Sequence, residues 1–126
     1  MTYTITTPAV FLAQISPFDR LSTKTRSSIA KIGQYYRYHV GQPIAIPDIL
    51  SAQISIIVEG TVRLLGYPDL NSSPVTLERL AIGGVIGMTS AVRGVACESA
   101  IASTEVICLN IPIESFIQIV EKEPDR

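Results

Sequence analysis

A glycine-punctuated segment, residues 83–105, holds the residues of this chain that are best suited to binding a small ligand. Gly83, Gly84 and Gly87 carry no side chain, so the backbone there can approach a ligand closely. Residues 88–92, which follow Gly87, have the composition of one helical turn, and the first amide groups of such a turn attract anions. We therefore expect any small ligand of this chain to bind in this segment.

Other patterns that could carry chemistry are incomplete. Residues 83–89 resemble a phosphate-binding P-loop, but Met88 stands where the lysine is required. The single histidine, His39, lies in an alternating segment without companions for metal binding or triad chemistry, so we predict a surface position at a strand end. Glu59 and Asp69 are predicted turn residues and do not form an acid–base pair. The sequence predicts neither catalysis nor a metal site.

The two cysteines, Cys97 and Cys108, do not form a disulfide framework. Cys108 lies within an apolar run and is predicted to be a core residue. Cys97 lies beside Glu98 in a predicted loop, where the acidic neighbour disfavours the thiolate, so redox sensing is a minor alternative.

Composition limits the chain to one apolar globular domain. Of its 126 residues, 47% are hydrophobic and 17% charged, and the net charge of −1 gives no positive surplus for binding nucleic acid. Lys24, Arg26 and Lys31 are interpreted as the solvated face of a helix. Without a signal-peptide pattern or an apolar run of ~20 residues, the sequence predicts a soluble intracellular domain.

Helices are predicted at both ends of the chain. The first covers residues 9–15 with Pro8 in its first turn, and Phe18 and Leu21 then anchor the connection to the core. Ser22 is the predicted N-cap of a second helix that ends near Gly33. A last helix covers residues 113–121 after Pro112, with Phe116, Ile117 and Val120 on its apolar face.

Short strands fill the middle of the chain. Tyr36, Tyr38 and Val40 alternate with polar residues, and residues 59–61 are predicted to form a tight hairpin around Gly60. The predicted strands are residues 35–40, 44–46, 54–58, 62–67, 75–80, 98–102 and 106–111. This pattern predicts a mainly β protein with flanking helices, folded as an antiparallel β-roll or jelly roll.

The order of these elements resembles the cyclic-nucleotide-binding domain family. Residues 40–44 (VGQPI) are similar to the early glycine turn of that family, and residues 58–63 (VEGTVR) to its central hairpin. The resemblance covers residues 9–121 and implies an eight-stranded antiparallel jelly roll with flanking helices. Residues 1–8 would then be a flexible lead-in and residues 122–126 the cut end of a longer chain.

The resemblance also locates the phosphate-binding cassette of the family, in which a Gly-Glu pair binds the ribose and an arginine about ten residues later binds the cyclic phosphate. Gly87 matches the glycine, but Met88 stands at the glutamate position. Glu98 stands at the arginine position, followed by Ser99 and Ala100, which match the small residues. We therefore predict a retained fold with a degenerate nucleotide pocket.

The missing groups matter because a guanidinium and a carboxylate form the strong hydrogen bonds of such a site. Each lost bond costs ~1.5–3 kcal/mol, so losing both weakens binding about a hundred- to ten-thousand-fold. With a two-residue gap, Ala96 would stand at the arginine position, and Arg93 in the same loop is the alternative phosphate ligand. The predicted ligand-binding candidates are Gly87, Met88, Thr89, Arg93, Glu98, Ser99 and Ala100.

Residues 64–67, 74–77 and 98–106 are similar to the N-terminal domain of cyanobacterial toxin- or bacteriocin-secreting ABC transporters with a peptidase domain. This resemblance implies a non-catalytic, cytoplasmic regulatory or interaction domain. Its parent would be an ATP-driven transporter with peptidase activity in the plasma membrane. The partners would be the peptidase, transmembrane and ATPase domains of that parent, with a small ligand or a homodimer left open. No cofactor, nucleic acid or membrane contact of the domain itself is expected.

Two alternatives remain open. One is a functional cyclic-nucleotide sensor that binds cAMP or cGMP through Arg93 and backbone amides. The other is the sensor half of a transcription regulator of the cAMP-receptor type. That reading requires a helix-turn-helix segment after the last helix, and these residues contain none.

Overall fold

The structure, a computed structural model, describes residues 7–46, 50, 52–66, 73–94 and 99–123. Within these residues it has four α-helices and eight β-strands. The helices are α1 (Pro8–Ala13), α2 (Thr23–Ile32), α3 (Met88–Arg93) and α4 (Ile113–Glu121). The strands are β1 (Gln34–Tyr38), β2 (Pro43–Ala45), β3 (Gln53–Glu59), β4 (Val62–Gly66), β5 (Val75–Leu80), β6 (Val85–Ile86), β7 (Ala100–Ala102) and β8 (Val106–Pro112).

The strands form two antiparallel sheets of four strands each. Sheet A has the order β1-β8-β3-β6, and sheet B has the order β2-β7-β4-β5. Six of the seven connections between consecutive strands pass from one sheet to the other, and only β4 and β5 are consecutive partners. Two packed antiparallel sheets with this order form a jelly roll, so the predicted fold class is confirmed.

The predicted hairpin at residues 59–61 is wrong, because β3 and β4 belong to different sheets. The turn is a corner that moves the chain from sheet A to sheet B. Gly60 has a φ of +97°, and a Cβ built there would lie 2.3 Å from the carbonyl oxygen of Glu105. Both the left-handed backbone and the close approach require glycine at this corner.

The core has two clusters of buried side chains. The first lies between sheet A and the helices and comprises Phe11, Leu12, Phe18, Ile29, Ile54, Ile56, Leu109, Ile111 and Phe116. The second lies between the two sheets and comprises Tyr38, Ile57, Val62, Ile86, Ala100, Ala102, Val106 and Cys108. Since side chains alternate along a strand, the buried strand β8 contributes to both clusters, one from each of its faces.

The N-terminal helices follow the sequence signals closely. Pro8 lies in the first turn of α1, which ends at Ala13, two residues earlier than predicted. The hydroxyl of Ser22 accepts a hydrogen bond from the backbone N–H of Thr25 at 3.1 Å, so the predicted N-cap of α2 is confirmed. Phe18 is buried and packs edge-to-face against Phe116, as expected of an anchor.

The predicted bounds of α4 are confirmed, but its apolar face is only partly right. Phe116 is buried and Val120 packs against the first core cluster. Ile117 is 44% exposed, so its predicted core position is wrong. Instead, Ile113 and Ile119 pack against that cluster, because the helix docks on the side that contains residues 113, 116 and 120.

Strand β1 is shorter than predicted and ends at Tyr38. Tyr38 is buried, and its hydroxyl accepts a hydrogen bond from the Asn110 amide at 3.1 Å. Tyr36 is 52% exposed and Val40 is 65% exposed. The alternating pattern therefore identifies the strand but does not predict how far each side chain is buried. His39 is exposed just after the strand, as predicted, with Nδ1 2.9 Å from a carboxylate oxygen of Glu105.

Candidate functional site

Within the glycine-punctuated segment 83–105, Gly87 connects β6 to α3. The predicted helical turn after Gly87 is confirmed as α3, whereas β6, with two residues, was not predicted. Gly87 is buried with a φ of +101°, and a Cβ there would lie 3.0 Å from the Gln53 carbonyl oxygen of β3. Gly87 is therefore needed for packing whether or not a ligand binds. Since α3 has only six residues, its first turn offers an anion little helix dipole.

Met88, at the position of the family glutamate, lies at the start of α3. Its half-buried side chain packs against the first core cluster, beneath the helices. A thioether at this position contributes apolar contact to the core and has no group that could accept a strong hydrogen bond from a sugar hydroxyl.

Arg93 is the last residue of α3 and is exposed. The helix ends there because Gly94 adopts a left-handed conformation with a φ of +73°, and its N–H donates to the carbonyl oxygen of Ser90 at 2.8 Å. Among the described residues, Arg93 forms no ion pair. Its phosphate-binding role stays a prediction.

Ser99 and Ala100 line a groove of about 310 Å³ on sheet B. Its described lining residues come from β2, β4, β7 and the segments beside them: Pro43, Ala45, Ile46, Leu65, Pro74, Ser99, Ala100 and Ile101. We call this the sheet B groove. The strand register builds it, since Pro43 pairs with Ile101 and Leu64 with Ala100.

The structure describes six of the seven predicted site residues. Ser99 and Ala100 line the sheet B groove, while Gly87, Met88 and Arg93 are not among its lining residues. Thr89 lies within α3, and its role stays a prediction. Glu98 lies outside the described residues, as do the other sequence candidates Ala96, Cys97 and Asp69.

The described lining of the sheet B groove carries no charge. Its polar contribution from side chains is the Ser99 hydroxyl, and the remaining side chains are aliphatic or proline. The sequence analysis missed Pro43, Ala45, Ile46, Leu65 and Pro74, because only strand pairing brings these distant positions together. The described lining therefore suits a neutral ligand and includes no cationic side chain that could pair with a phosphate.

Other cavities bounded by described residues lie outside this groove. One, of about 440 Å³, is lined by Phe11, Gln14, Ile15, Ser16, Ile82 and Gly83. Another, of about 360 Å³, is lined by Ile32, Gln34, Tyr36, Gln53, Asn110 and Pro112. Neither lining contains a group that titrates near neutral pH.

In the described part of the chain, no group of three or more His, Cys, Asp or Glu residues could hold a metal ion. Burial raises the pKa of the Cys108 thiol to about 12, so this core cysteine is not a nucleophile at neutral pH. None of the helices that the structure describes has the length and apolar character needed to cross a membrane.

Comparison with solved structures shows that this chain has the jelly-roll fold of cyclic-nucleotide-binding domains, with two antiparallel sheets and helices at both ends. No protein-family model matches the chain, and no curated protein matches it by sequence. Similar structures include protein kinase A regulatory subunits and proteins of the catabolite-activator type.

Three of these structures illustrate the range of structural similarity and coverage. The regulatory subunit of a cAMP-independent protein kinase A from Trypanosoma cruzi, bound to guanosine, has a TM-score of 0.82 at 21% identity, over 90% of this chain and 40% of that one. A cyclic nucleotide-binding-like protein from Brucella abortus has a TM-score of 0.73 at 18% identity, over 91% and 98%. The catabolite activator protein of Thermus thermophilus has a TM-score of 0.71 at 21% identity, over 89% and 50%.

Proposed function

We propose that this chain is a non-catalytic regulatory or interaction domain whose sheet B groove binds a neutral ligand instead of a cyclic phosphate. The observation that carries the proposal is that the lining residues which the structure describes, from Pro43 to Ile101, carry no charge. The described residues include no candidate metal site, so we assign the domain a role in binding, in which a bound ligand changes the surface that the domain offers to a partner.

The chemistry of the groove argues against a cyclic phosphate. Moving a phosphate charge into an apolar groove is costly unless a guanidinium or several N–H donors compensate for the lost water. The Met88 side chain packs against the first core cluster, and Arg93 does not line the sheet B groove. The groove volume of about 310 Å³ suits a ligand at the small end of the usual range.

A nucleoside is the neutral ligand that we favour. The Trypanosoma cruzi regulatory subunit, which has this fold and is described as cAMP-independent, is bound to guanosine, a nucleoside without a phosphate. A purine base could lie against the aliphatic side chains of Ile46, Leu65 and Ile101. The Ser99 hydroxyl could exchange a hydrogen bond with a sugar hydroxyl.

The test is calorimetric titration of the chain with guanosine, cAMP and cGMP. A Ser99→Phe variant fills the groove, and Ser73→Phe adds the same ring at an exposed residue outside the lining. We expect saturable guanosine binding that Ser99→Phe removes and Ser73→Phe retains. Cyclic nucleotides should bind no more tightly than guanosine.

Two results would change the proposal. Binding of cAMP a hundred-fold tighter than guanosine would make the chain a cyclic-nucleotide sensor, and loss of that binding in Arg93→Ala would identify the phosphate ligand. Absence of saturable binding by all three compounds would reject the ligand and leave a docking module.

We propose the transporter context as a narrower reading, supported by the sequence stretches 64–67, 74–77 and 98–106. In that setting the domain would contact the peptidase or ATPase parts of its parent on the cytoplasmic side. The discriminating observation is the sequence that follows residue 126 in the gene. Membrane-spanning segments and an ATP-binding motif would support the transporter, whereas a helix-turn-helix segment would support a transcription regulator.

A further inference from the structure

The outward face of sheet B carries two arginines directly opposite each other. Arg63 of β4 pairs with Arg79 of β5, and the adjacent pair, Val62 and Leu80, packs in the second core cluster between the sheets. Side chains alternate along a strand, and directly opposite residues of an antiparallel pair share a face. Both arginine side chains therefore lie on the side of the sheet that faces away from the core, where Arg63 is half-buried and Arg79 is exposed.

The pairing of these arginines is unfavourable for the chain by itself. Directly opposite residues of an antiparallel pair have Cβ atoms about 4.5–5.5 Å apart, and like charges in this position are destabilising. In the described part of the chain neither arginine forms an ion pair, since the ion pairs there join Arg37 and His39 to Glu105. An anion that lies between the two guanidinium groups would offset their repulsion.

The Arg63 side chain is also held in position. Its Nε donates a hydrogen bond to the Thr76 hydroxyl at 2.8 Å. Thr76 pairs with Leu65, two residues along β4 from Arg63, so it belongs to the same outward face. A guanidinium that is fixed through Nε can still present its Nη groups, the donors that bind two oxygens of one anion.

The arginine pair lies beside the sheet B groove and is not part of its lining. A row of paired residues crosses all four strands of the sheet, from Pro43 through Ile101 and Arg63 to Arg79. The first two of these residues line the groove, and the two arginines do not. The charged end of the row is therefore a separate candidate site.

We propose that Arg63 and Arg79 bind a small phosphomonoester on the outward face of sheet B. A phosphomonoester carries about 1.5–2 negative charges at pH 7 and three terminal oxygens, so one group can offset both guanidinium charges and accept hydrogen bonds from both side chains. A phosphodiester, such as a cyclic phosphate, carries one negative charge and offsets only one of them.

The charge of the chain favours a small ligand over a polyanion. Nucleic acids and anionic membranes bind through many cationic contacts. Two arginines on a chain of net charge −1 provide too few.

Calorimetric titration at fixed low ionic strength tests the proposal with glycerol 2-phosphate as the monoester and dimethyl phosphate as the diester. We expect saturable binding of glycerol 2-phosphate and weaker binding of dimethyl phosphate. Glycerol 2-phosphate at ten times its Kd should also raise the Tm by about 3 °C or more.

Substitutions identify the groups that bind. Arg63→Gln and Arg79→Gln should each weaken glycerol 2-phosphate binding about tenfold or more. Without ligand, Arg79→Gln should keep or raise the Tm because it removes the repulsion, whereas loss of an arginine with a purely structural role would lower it. Arg20→Gln, which removes an exposed arginine between α1 and α2, is the control and should leave the affinity unchanged.

Several results would overturn the proposal. Glycerol 2-phosphate would fail to bind saturably, or dimethyl phosphate would bind as tightly. Unchanged affinity in both Arg63→Gln and Arg79→Gln, or loss of binding in Arg93→Gln, would place the anion elsewhere, and an equal loss in Arg20→Gln would indicate a general effect of charge. Ser99→Phe should retain glycerol 2-phosphate binding, so this proposal and that of a nucleoside in the sheet B groove fail independently.

Discussion

The carboxylate of Glu123 accepts hydrogen bonds from both the backbone N–H and the hydroxyl of Ser22, each at 2.9 Å, although the two residues are 101 positions apart. The hydroxyl of Thr25 donates to the same carboxylate. Residue 123, just after α4, therefore caps the N-terminus of α2 from a distance, in addition to the local cap that Ser22 supplies. A negative charge at that helix end also interacts favourably with the helix dipole.

This contact predicts an acid-sensitive stability. The hydrogen bonds from Thr25, and then those from Ser22, lower the pKa of the Glu123 carboxyl below its ordinary value. A depressed carboxyl pKa stabilises the fold above the ordinary value of about 4.3, and the stabilisation is lost as pH falls through the folded-state pKa. Glu123→Gln should thus lower the Tm at pH 7, and the difference from wild type should shrink towards pH 3.

Thermal unfolding followed by circular dichroism at several pH values measures this effect. Glu121→Gln removes a nearby exposed carboxylate and should leave the Tm at pH 7 almost unchanged. An equal loss of Tm for Glu123→Gln at pH 7 and pH 3 would show that the carboxylate charge does not contribute.

The sheet-to-sheet corner predicts a strong effect of one methyl group. Gly60→Ala adds a Cβ that meets the Glu105 carbonyl at 2.3 Å in a left-handed backbone, so we expect a loss of more than about 2 kcal/mol in the free energy of unfolding. Gly41→Ala is a matched control, since Gly41 has a φ of +85° but open space around the Cβ position. It should cost only about 1 kcal/mol. Equal costs in urea unfolding would contradict the role of the close approach.

The core position of Met88 predicts that restoring the family glutamate does not restore a site. Met88→Glu introduces a carboxylate against the first core cluster, and we expect a loss of about 1–3 kcal/mol without cyclic-nucleotide binding. Met88→Leu keeps the volume and should cost less than about 1.5 kcal/mol. Urea unfolding gives the stabilities, and calorimetry with cAMP gives the binding. A Met88→Glu chain that keeps its stability and binds cAMP would place this side chain in the ligand site.

The buried thiol predicts protection from modification. With the Cys108 pKa raised to about 12, hardly any thiolate forms at pH 8, and the side chain is fully buried. A Cys97→Ser chain, which keeps Cys108 alone, should resist a chromogenic disulfide reagent when folded and react with one equivalent in urea. Rapid modification of the folded chain at pH 8 would contradict the buried position.

Local signals predicted the elements well. Ser22 and Pro112 mark helix starts chemically, so the N-cap of α2 and the bounds of α4 are as predicted. Strand β5 was also predicted within its observed bounds, between a polar loop and a glycine-rich turn. Helix caps and turn residues act over only a few neighbouring positions, so they can be recognised from the sequence alone.

Contacts between residues far apart in the sequence could not be predicted in the same way. A glycine between two strands indicates a turn but not which strands pair, so Gly60 was assigned to a hairpin and is a corner between sheets. The sheet B groove combines residues 43–46, 65, 74 and 99–101, which only the strand register brings together. Glu123 lies beyond the predicted domain range of 9–121, and its bonds to Ser22 have no local sequence signal.

The repeated passage of the chain between the sheets has a consequence for how this domain is made. Each sheet draws strands from both halves of the sequence, since sheet A uses β1, β3, β6 and β8 and sheet B uses the others. A nascent chain that ends after β4 holds two strands of each sheet without their neighbours. Folding must then wait until β8 has left the ribosome, and a product shortened before β8 would expose the edges of β1 and β3 in sheet A and be prone to aggregation.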